Sequence, residues 1–347
     1  MAHTAFPAVE TIAVALLTVG ASALVPPAAG AAPSEVGPCT PMPATCAGVV
    51  DIDTVLGYQG ERAAGTGMVR SANGDVVTNN HVVEGATAIS VTDVGNGRSY
   101  RARVLGWDRV HDVAALRLED AAALATVPVG DSSLVTVGEP IVGVGNAEGA
   151  GGTPSVAPGV VTALDQAVSA QDEGSGSVEN LTGLIEIDAD IQPGDSGGPL
   201  VDRFGRAVGM DTAASESLSL LPPGRQAFAI PINEVMGIAG QIESGAGAPT
   251  VHLGETAFLG VGMATGGAPS AQGVAVREVV AGSPAARAGV RVGDVLTAID
   301  GRRVDSAATV VRSLDGHHPG DRISLGWMPV SGAARSAQVQ LVAGPVG

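Results

Sequence analysis

The chain contains no lysine: all eighteen of its cationic side chains are arginine. Thirty-five Asp and Glu residues leave a formal net charge of −17, and no arginine stripe is clustered along the sequence. Nucleic-acid binders need basic patches that displace counterions from phosphates, so a nucleic-acid partner is excluded. Aromatics make up 2% of the residues, and cores must therefore be filled by the Val, Ala, Leu and Ile that dominate a 45% hydrophobic composition. Only two cysteines occur, Cys39 and Cys46, in "PCTPMPATC". Their spacing does not match a redox Cys-x-x-Cys, and no histidine stands near enough for a zinc site, so neither a metal nor another cofactor is expected. In an exported chain such a pair closes one small Pro-rich loop by a disulfide, worth roughly 2 kcal/mol on the chain-entropy model.

Long hydrophobic runs are also scarce. The longest, "TIAVALLTVGASALV" from Thr11 to Val25, falls short of the roughly eighteen apolar residues that a membrane span requires. It suits the apolar part of a secretory signal, with small residues at Ala29 and Ala31 for cleavage. The n-region has no Lys or Arg and contains Glu10, which leaves retention as a membrane anchor as the alternative. The expected organisation is a signal peptide over 1–32, a Pro-rich segment with the cysteine pair over 33–48, a β-domain over 49–243, a linker over 244–256 and a smaller α+β module over 257–345.

From Val49 onward, short Val- and Ile-rich stretches alternate with turns, and Asn73-Gly74 and Asn96-Gly97 are strong hairpin signals. The pattern predicts antiparallel β structure, a sandwich or a barrel. The acidic, Gly/Ser-rich stretch at 171–180 is expected as a mobile surface loop. Residues 232–243 are expected to be helical, as is Ser306 to Leu314. "VGVGNAEGAGG" at 142–152 superficially matches a dinucleotide loop, but no βαβ context follows it.

"DADIQPGDSGGPL" at 188–200 crowds Pro193, Gly194, Gly197, Gly198 and Pro199 around Ser196. A serine hydroxyl becomes a useful nucleophile only when an imidazole takes its proton and a buried carboxylate orients that imidazole. Of six histidines, His3 lies in the signal segment, and His252, His317 and His318 lie in the hinge or the smaller module. His81 in "TNNHVV" stands where a strand ends, and Asp112 in "HDVAALRL" begins a buried strand. The expected set is His81 as base, Asp112 as orienter and Ser196 as nucleophile, with the N–H groups of Gly194 and Ser196 as oxyanion donors.

These motifs, with "FAIPIN" at 228–233, resemble the HtrA (DegP-like) serine proteases, and most of all their secreted mycobacterial PepA-type branch with one PDZ domain. The resemblance spans about 49 to 345. It implies a mainly β fold, with a chymotrypsin-like double β-barrel protease domain followed by an α+β PDZ domain. It also implies an extracytoplasmic endopeptidase acting on unfolded or misfolded proteins, assembled as a homo-oligomer, usually a trimer. Two departures stand out: Asp195 where many members have Asn, and Asp190 where the family usually has Ala. In trypsin-like enzymes the offset of Asp190 carries the carboxylate that selects Arg or Lys. The alternative is a small apolar S1 pocket built from Ile191, Ala213, Ala214 and Ser215, with Asp190 facing elsewhere, and small aliphatic P1 residues are the first expectation.

"FLGVGMA" at 258–264 and the stretch 276–304 resemble a PDZ domain, which binds peptide C-termini by adding them as a strand. The pattern implies Phe258, Leu259, Gly260 and Val261 as the carboxylate loop and Gly262 and Met263 as the start of the accepting strand. Val310 and Val311 are candidates for the side-chain pocket, with core packing as the alternative. The competing reading of the whole chain is a catalytically weak, PDZ-containing binding or chaperone-like protein.

Overall fold

The computed structural model describes residues 46–171, 178–212, 226–263 and 272–347. The expected signal segment, Cys39, the tip of the 171–180 loop and Ala213, Ala214 and Ser215 lie outside them. Cys46 is buried and disulfide-bonded.

Six strands make the first barrel: β1 (Val49–Leu56), β2 (Glu61–Val69), β3 (Asp75–Thr78), β4 (Ala88–Asp93), β5 (Arg98–Asp108) and β6 (Val113–Leu118). All pairings are antiparallel. β1 lies between β2 and β4, β3 joins β2 to β6, and β5 pairs with both β4 and β6, which closes the ring. The two expected turns are present, with Gly74 and Gly97 at positive φ between β2 and β3 and between β4 and β5. Val50, Ile52, Val91 and Leu116 fill the interior with Trp107. β-branched side chains do here what aromatics do in richer compositions.

The second barrel is closed by β7 (Pro140–Gly145), β8 (Ser155–Gln171), β9 (Val178–Ile187), β10 (Pro199–Asp202), β11 (Ala207–Thr212) and β12 (Ala227–Pro231). β8 pairs first with β7 and from Val161 onward with β9, where the register shifts three times. A one-turn helix α1 (Asn80–Val83) follows β3, and α2 (Ile232–Ser244) follows β12. Met68 and Val77 of the first barrel, Met210 and Phe228 of the second and Ile232 and Val235 of α2 form one shared core. That shared core holds the two barrels together, and the turn between β9 and β10 bonds to strands of both.

Within the expected linker, β13 (Val251–Leu253) pairs with β5 and extends the first barrel's sheet. The C-terminal module has β14 (Ala257–Phe258), β15 (Val261–Met263), β16 (Val274–Val279), α3 (Pro284–Ala288), β17 (Val295–Ile299), β18 (Arg302–Arg303), α4 (Ala307–Leu314), β19 (Arg322–Met328), β20 (Arg335–Gln340) and β21 (Val342–Ala343). Its main sheet runs β15-β16-β17-β19-β20. Ser306 and Thr309 make a reciprocal capping box at the start of α4. Leu259, Leu296, Ile299, Val310 and Trp327 pack its core.

Candidate active site

His81 is carried on α1, where the chain leaves β3 for one turn. Its backbone N–H donates to Asp112 Oδ1 at 3.0 Å, and its Nδ1 lies 2.9 Å from Asp112 Oδ2. This two-point grip fixes the ring: with Nδ1–H donating to the carboxylate, Nε2 is the nitrogen left to accept a proton. The side chain of Asp112 is 2% exposed whereas that of His81 is 39% exposed, so the carboxylate is dry and the imidazole meets solvent. Asp112 sits at φ +53, an unfavourable conformation for a residue with a side chain. Asn79 Nδ2 holds its carbonyl at 3.0 Å, and Thr212 Oγ1 reaches its Oδ2 at 3.4 Å.

Ser196 lies in the turn between β9 and β10. Its carbonyl accepts from the Thr66 N–H on β2 at 2.8 Å, and the next residue, Gly197, donates to the Asp211 carbonyl on β11 at 2.9 Å. A Cβ at Gly197 would come within 2.3 Å of Thr78 Oγ1, the last residue of β3 before the His81 turn. The serine turn is therefore wedged between strands of both barrels. His81 and Asp112 are in direct contact, and Ser196 is pinned to β2, beside the end of β3, and to β11, from which Thr212 reaches Asp112.

Gly194 has φ +98, and a Cβ there would lie 2.2 Å from the Asn146 carbonyl, so only glycine fits. The Pro193 carbonyl accepts from the Glu148 N–H at 2.6 Å and the Gly194 carbonyl accepts from Thr66 Oγ1 at 2.7 Å. In a trans peptide the N–H points opposite to the C=O, so these bonds set the direction of the Gly194 N–H. The 142–152 stretch is thus a brace for the serine turn.

The departure at Asp195 has a local answer. Its Oδ1 accepts from Ser155 Oγ at 2.7 Å and its Oδ2 from the Gln192 N–H at 2.9 Å, while burial and the neighbouring Asp190 push its carboxyl up. Asp190 itself is exposed, and its Oδ1 accepts from Gln192 Nε2 at 2.9 Å. Ile191 is buried, its Cδ1 packed where a Cβ at Gly143 would be. A second imidazole–carboxylate contact, His111 Nδ1 to Asp108 Oδ2 at 2.8 Å, lies at the end of β5, with Thr250 Oγ1 also on Asp108.

In the C-terminal module, β15 pairs with β16 and stands at the edge of the sheet. Gly260 has φ +81, and Ser283 Cβ would be 2.2 Å from any Cβ added to it. Leu259 and Val310 are core residues, Val311 is half-buried, and the Phe258 ring stacks on Tyr58 of the β1–β2 turn at 5.1 Å. Thr66, Ser155, Asp211 and Thr212 all brace the site without having been expected from the sequence.

Two closed antiparallel barrels with these contacts, followed by a small sheet with α3 and α4, define a trypsin-like peptidase domain with a PDZ domain behind it. Family models agree: a trypsin-like peptidase domain matches residues 65–210 and a PDZ domain matches 276–326. The serine protease PepD of Mycobacterium tuberculosis is 32% identical over 310 residues, covering 84% of this chain and 63% of that protein. The periplasmic serine endoprotease DegP of Salmonella typhimurium is 35% identical over 275 residues, covering 76% and 54% respectively. The solved HtrA-type protease AlgW with a decapeptide aligns at 26% identity and a TM-score of 0.47, covering 86% of this chain and 96% of that one. A trypsin-like peptidase domain followed by a C-terminal PDZ domain, with relatives of this kind, fits an HtrA-type protease, and the chain spans a little over half to under two thirds of the length of these two sequence relatives.

Proposed function

We propose that the chain is a serine endopeptidase that hydrolyses peptide bonds of unfolded or misfolded proteins outside the cytoplasm. The observation that carries this reading is the double contact of His81 with the dry carboxylate of Asp112, at 3.0 Å and 2.9 Å, together with the Ser196 turn bonded to strands of both barrels. Ser196 Oγ attacks the amide carbon while His81 Nε2 takes its proton. Asp112 stabilises the imidazolium, and the N–H groups of Gly194 and Ser196 hold the oxyanion, an effect of about 3 kcal/mol per donor. His81 then gives the proton to the leaving amine, and water repeats the sequence on the acyl-enzyme.

Small aliphatic P1 residues fit best, because Ile191 is apolar and buried while Asp190 is exposed and engaged with Gln192. Comparing P1-Val with P1-Arg peptides tests this, and a strong Arg preference overturns it. The open edge of β15 supports capture of peptide C-termini by strand addition. A homotrimer is the assembly that the resemblance implies, and a solution mass tests it. The extracytoplasmic location is supported by the disulfide at Cys46 and by relatives named as periplasmic.

A fluorophosphonate probe is expected to label the wild type and not Ser196→Ala, with turnover falling about 10⁶-fold in the variant. A well-folded wild type inert to the probe would overturn the enzyme reading in favour of a binding protein.

A further inference from the structure

Behind the serine turn lies a pair of acids that the proposed triad does not use. Asp195 is 2% exposed and Asp211, on β11, is 0% exposed. Asp195 has its two donors, Ser155 Oγ and the Gln192 N–H. Neither oxygen of Asp211 has a protein donor within hydrogen-bond geometry among the described residues, although the Val144 N–H lies on its side.

Strand β7 makes the room for both. A Cβ at Gly143 would come 2.9 Å from Asp211 Oδ2, and one at Gly145 would come 2.5 Å from Asp195 Oδ1. Residues two apart on a strand face the same side, so these glycines clear one face of β7 where the acids stand.

Among the described residues the surroundings offer no counter-charge. β7 and β10 contribute apolar residues and glycine, apart from Asp202 at the far end of β10, which pairs with Arg206. The serine turn contributes Asp190, and next along β11 Thr212 leads to Asp112, already paired with His81. Among the described residues neither Asp195 nor Asp211 forms an ion pair with an arginine or histidine. Two carboxyl groups buried on one face of a strand, with no cation among the described residues to pair them, cannot both ionise readily. Burial pushes both up, Asp211 most strongly, and the charge of Asp195 pushes Asp211 further.

We propose that Asp195 and Asp211 hold one proton between them, and that Asp211 is a positioning residue whose neutral form lets Asp195 keep the oxyanion turn in its reactive shape. This rests on the proposed triad. Charged Asp195 holds Gln192 and Ser155, and Gln192 opens the turn whose Pro193–Gly194 peptide directs the oxyanion donor. Ionising Asp211 sets a second negative charge beside Asp195 and loosens that turn. The sign follows from linkage. The folded state keeps a proton that the unfolded chain releases near the ordinary Asp value of about 3.9, so the pair's stability contribution is full in acid and is lost as pH rises toward the native value.

The test compares wild type with Asp211→Asn, which keeps the shape and cannot ionise. In the wild type, kcat falls on the alkaline side with little change in KM. In Asp211→Asn the fall moves to higher pH, and the ratio of kcat at about pH 9.5 to that at about pH 7 rises about fivefold or more. The absence of lysine leaves few other groups to produce an alkaline limb. Superimposable profiles overturn the proposal. Infrared spectroscopy of the wild type supplies a readout independent of turnover and of the variant's folding: a protonated-carboxyl C=O stretch persists at about pH 7.5, and its absence also overturns the proposal. If the fluorophosphonate probe labels nothing at any pH, the triad reading fails by itself. The shared proton is then judged by the infrared band and by the thermal midpoint, which Asp211→Asn should raise more at about pH 8 than at about pH 4.5.

Discussion

Asp112 combines three costs: burial of a charge, a positive φ without glycine, and dependence on Asn79 and Thr212 to hold it. Such costs persist where they orient a reacting group. Asp112→Asn should leave the fold intact and lower kcat by about 10⁴-fold with a small change in KM, because the amide no longer selects the productive tautomer of His81. Steady-state kinetics with a peptide substrate checks this, and a loss below about tenfold contradicts the assigned role. The proposed set of His81, Asp112 and Ser196 could be picked out in the sequence because nucleophilic chemistry demands particular side chains in recognisable turn contexts, and of these the structure puts His81 and Asp112 in contact. Thr66, Ser155, Thr212 and Asp211 could not, since ordinary polar residues in strands acquire meaning only when the barrels meet. Thr66 bonds a carbonyl 128 positions away and Ser155 a carboxylate 40 positions away.

Strand β7 shows how one element can be read for the wrong reason. Its Gly143 and Gly145 have the spacing of a nucleotide loop, yet the chain runs on through residues 146–154, with a single 3-10 turn at Ala147–Gly149, into the antiparallel β8, and the glycines serve to admit Ile191, Asp195 and Asp211. Gly145→Ala would place its Cβ 2.6 Å from Asp195 Cα, a backbone atom that cannot step aside. The expected result is a loss of about 1–3 kcal/mol in denaturant unfolding, with activity falling further than the folded fraction because the serine turn is displaced. An unchanged midpoint with full activity would contradict the tight approach. Hairpin signals at Asn73-Gly74 and Asn96-Gly97 and the apolar spacing of α2 were readable because they are local. α3, of five residues, and β13, of three, were missed because each is too short to show a period and is stabilised by its neighbours.

Across the whole molecule, the stretch expected as a hinge is instead part of a contact between the two domains. His252 on β13 is buried, stacked between Trp107 of the first barrel at 4.8 Å and His318 of the PDZ domain at 5.1 Å. Its Nδ1 faces the Asp315 carbonyl at 2.8 Å and its Nε2 the Glu255 carbonyl at 3.2 Å. Arg109, lying over Trp107, bonds Asp315 at 3.1 Å, and the Val346 N–H and C=O bond Ala86 and Gly85 of the first barrel. Stacking and buried polar contacts of this kind couple domains more firmly than a Gly-rich tether does, because removing one member leaves the others unpaired. His252→Ala combined with Arg109→Ala should therefore split a single calorimetric unfolding transition into two, with the PDZ domain melting at the lower temperature. It should also widen the particle in small-angle scattering. A variant that still unfolds in one transition with unchanged dimensions would mean that the segment is a simple tether, as its Gly- and Ala-rich composition first implied.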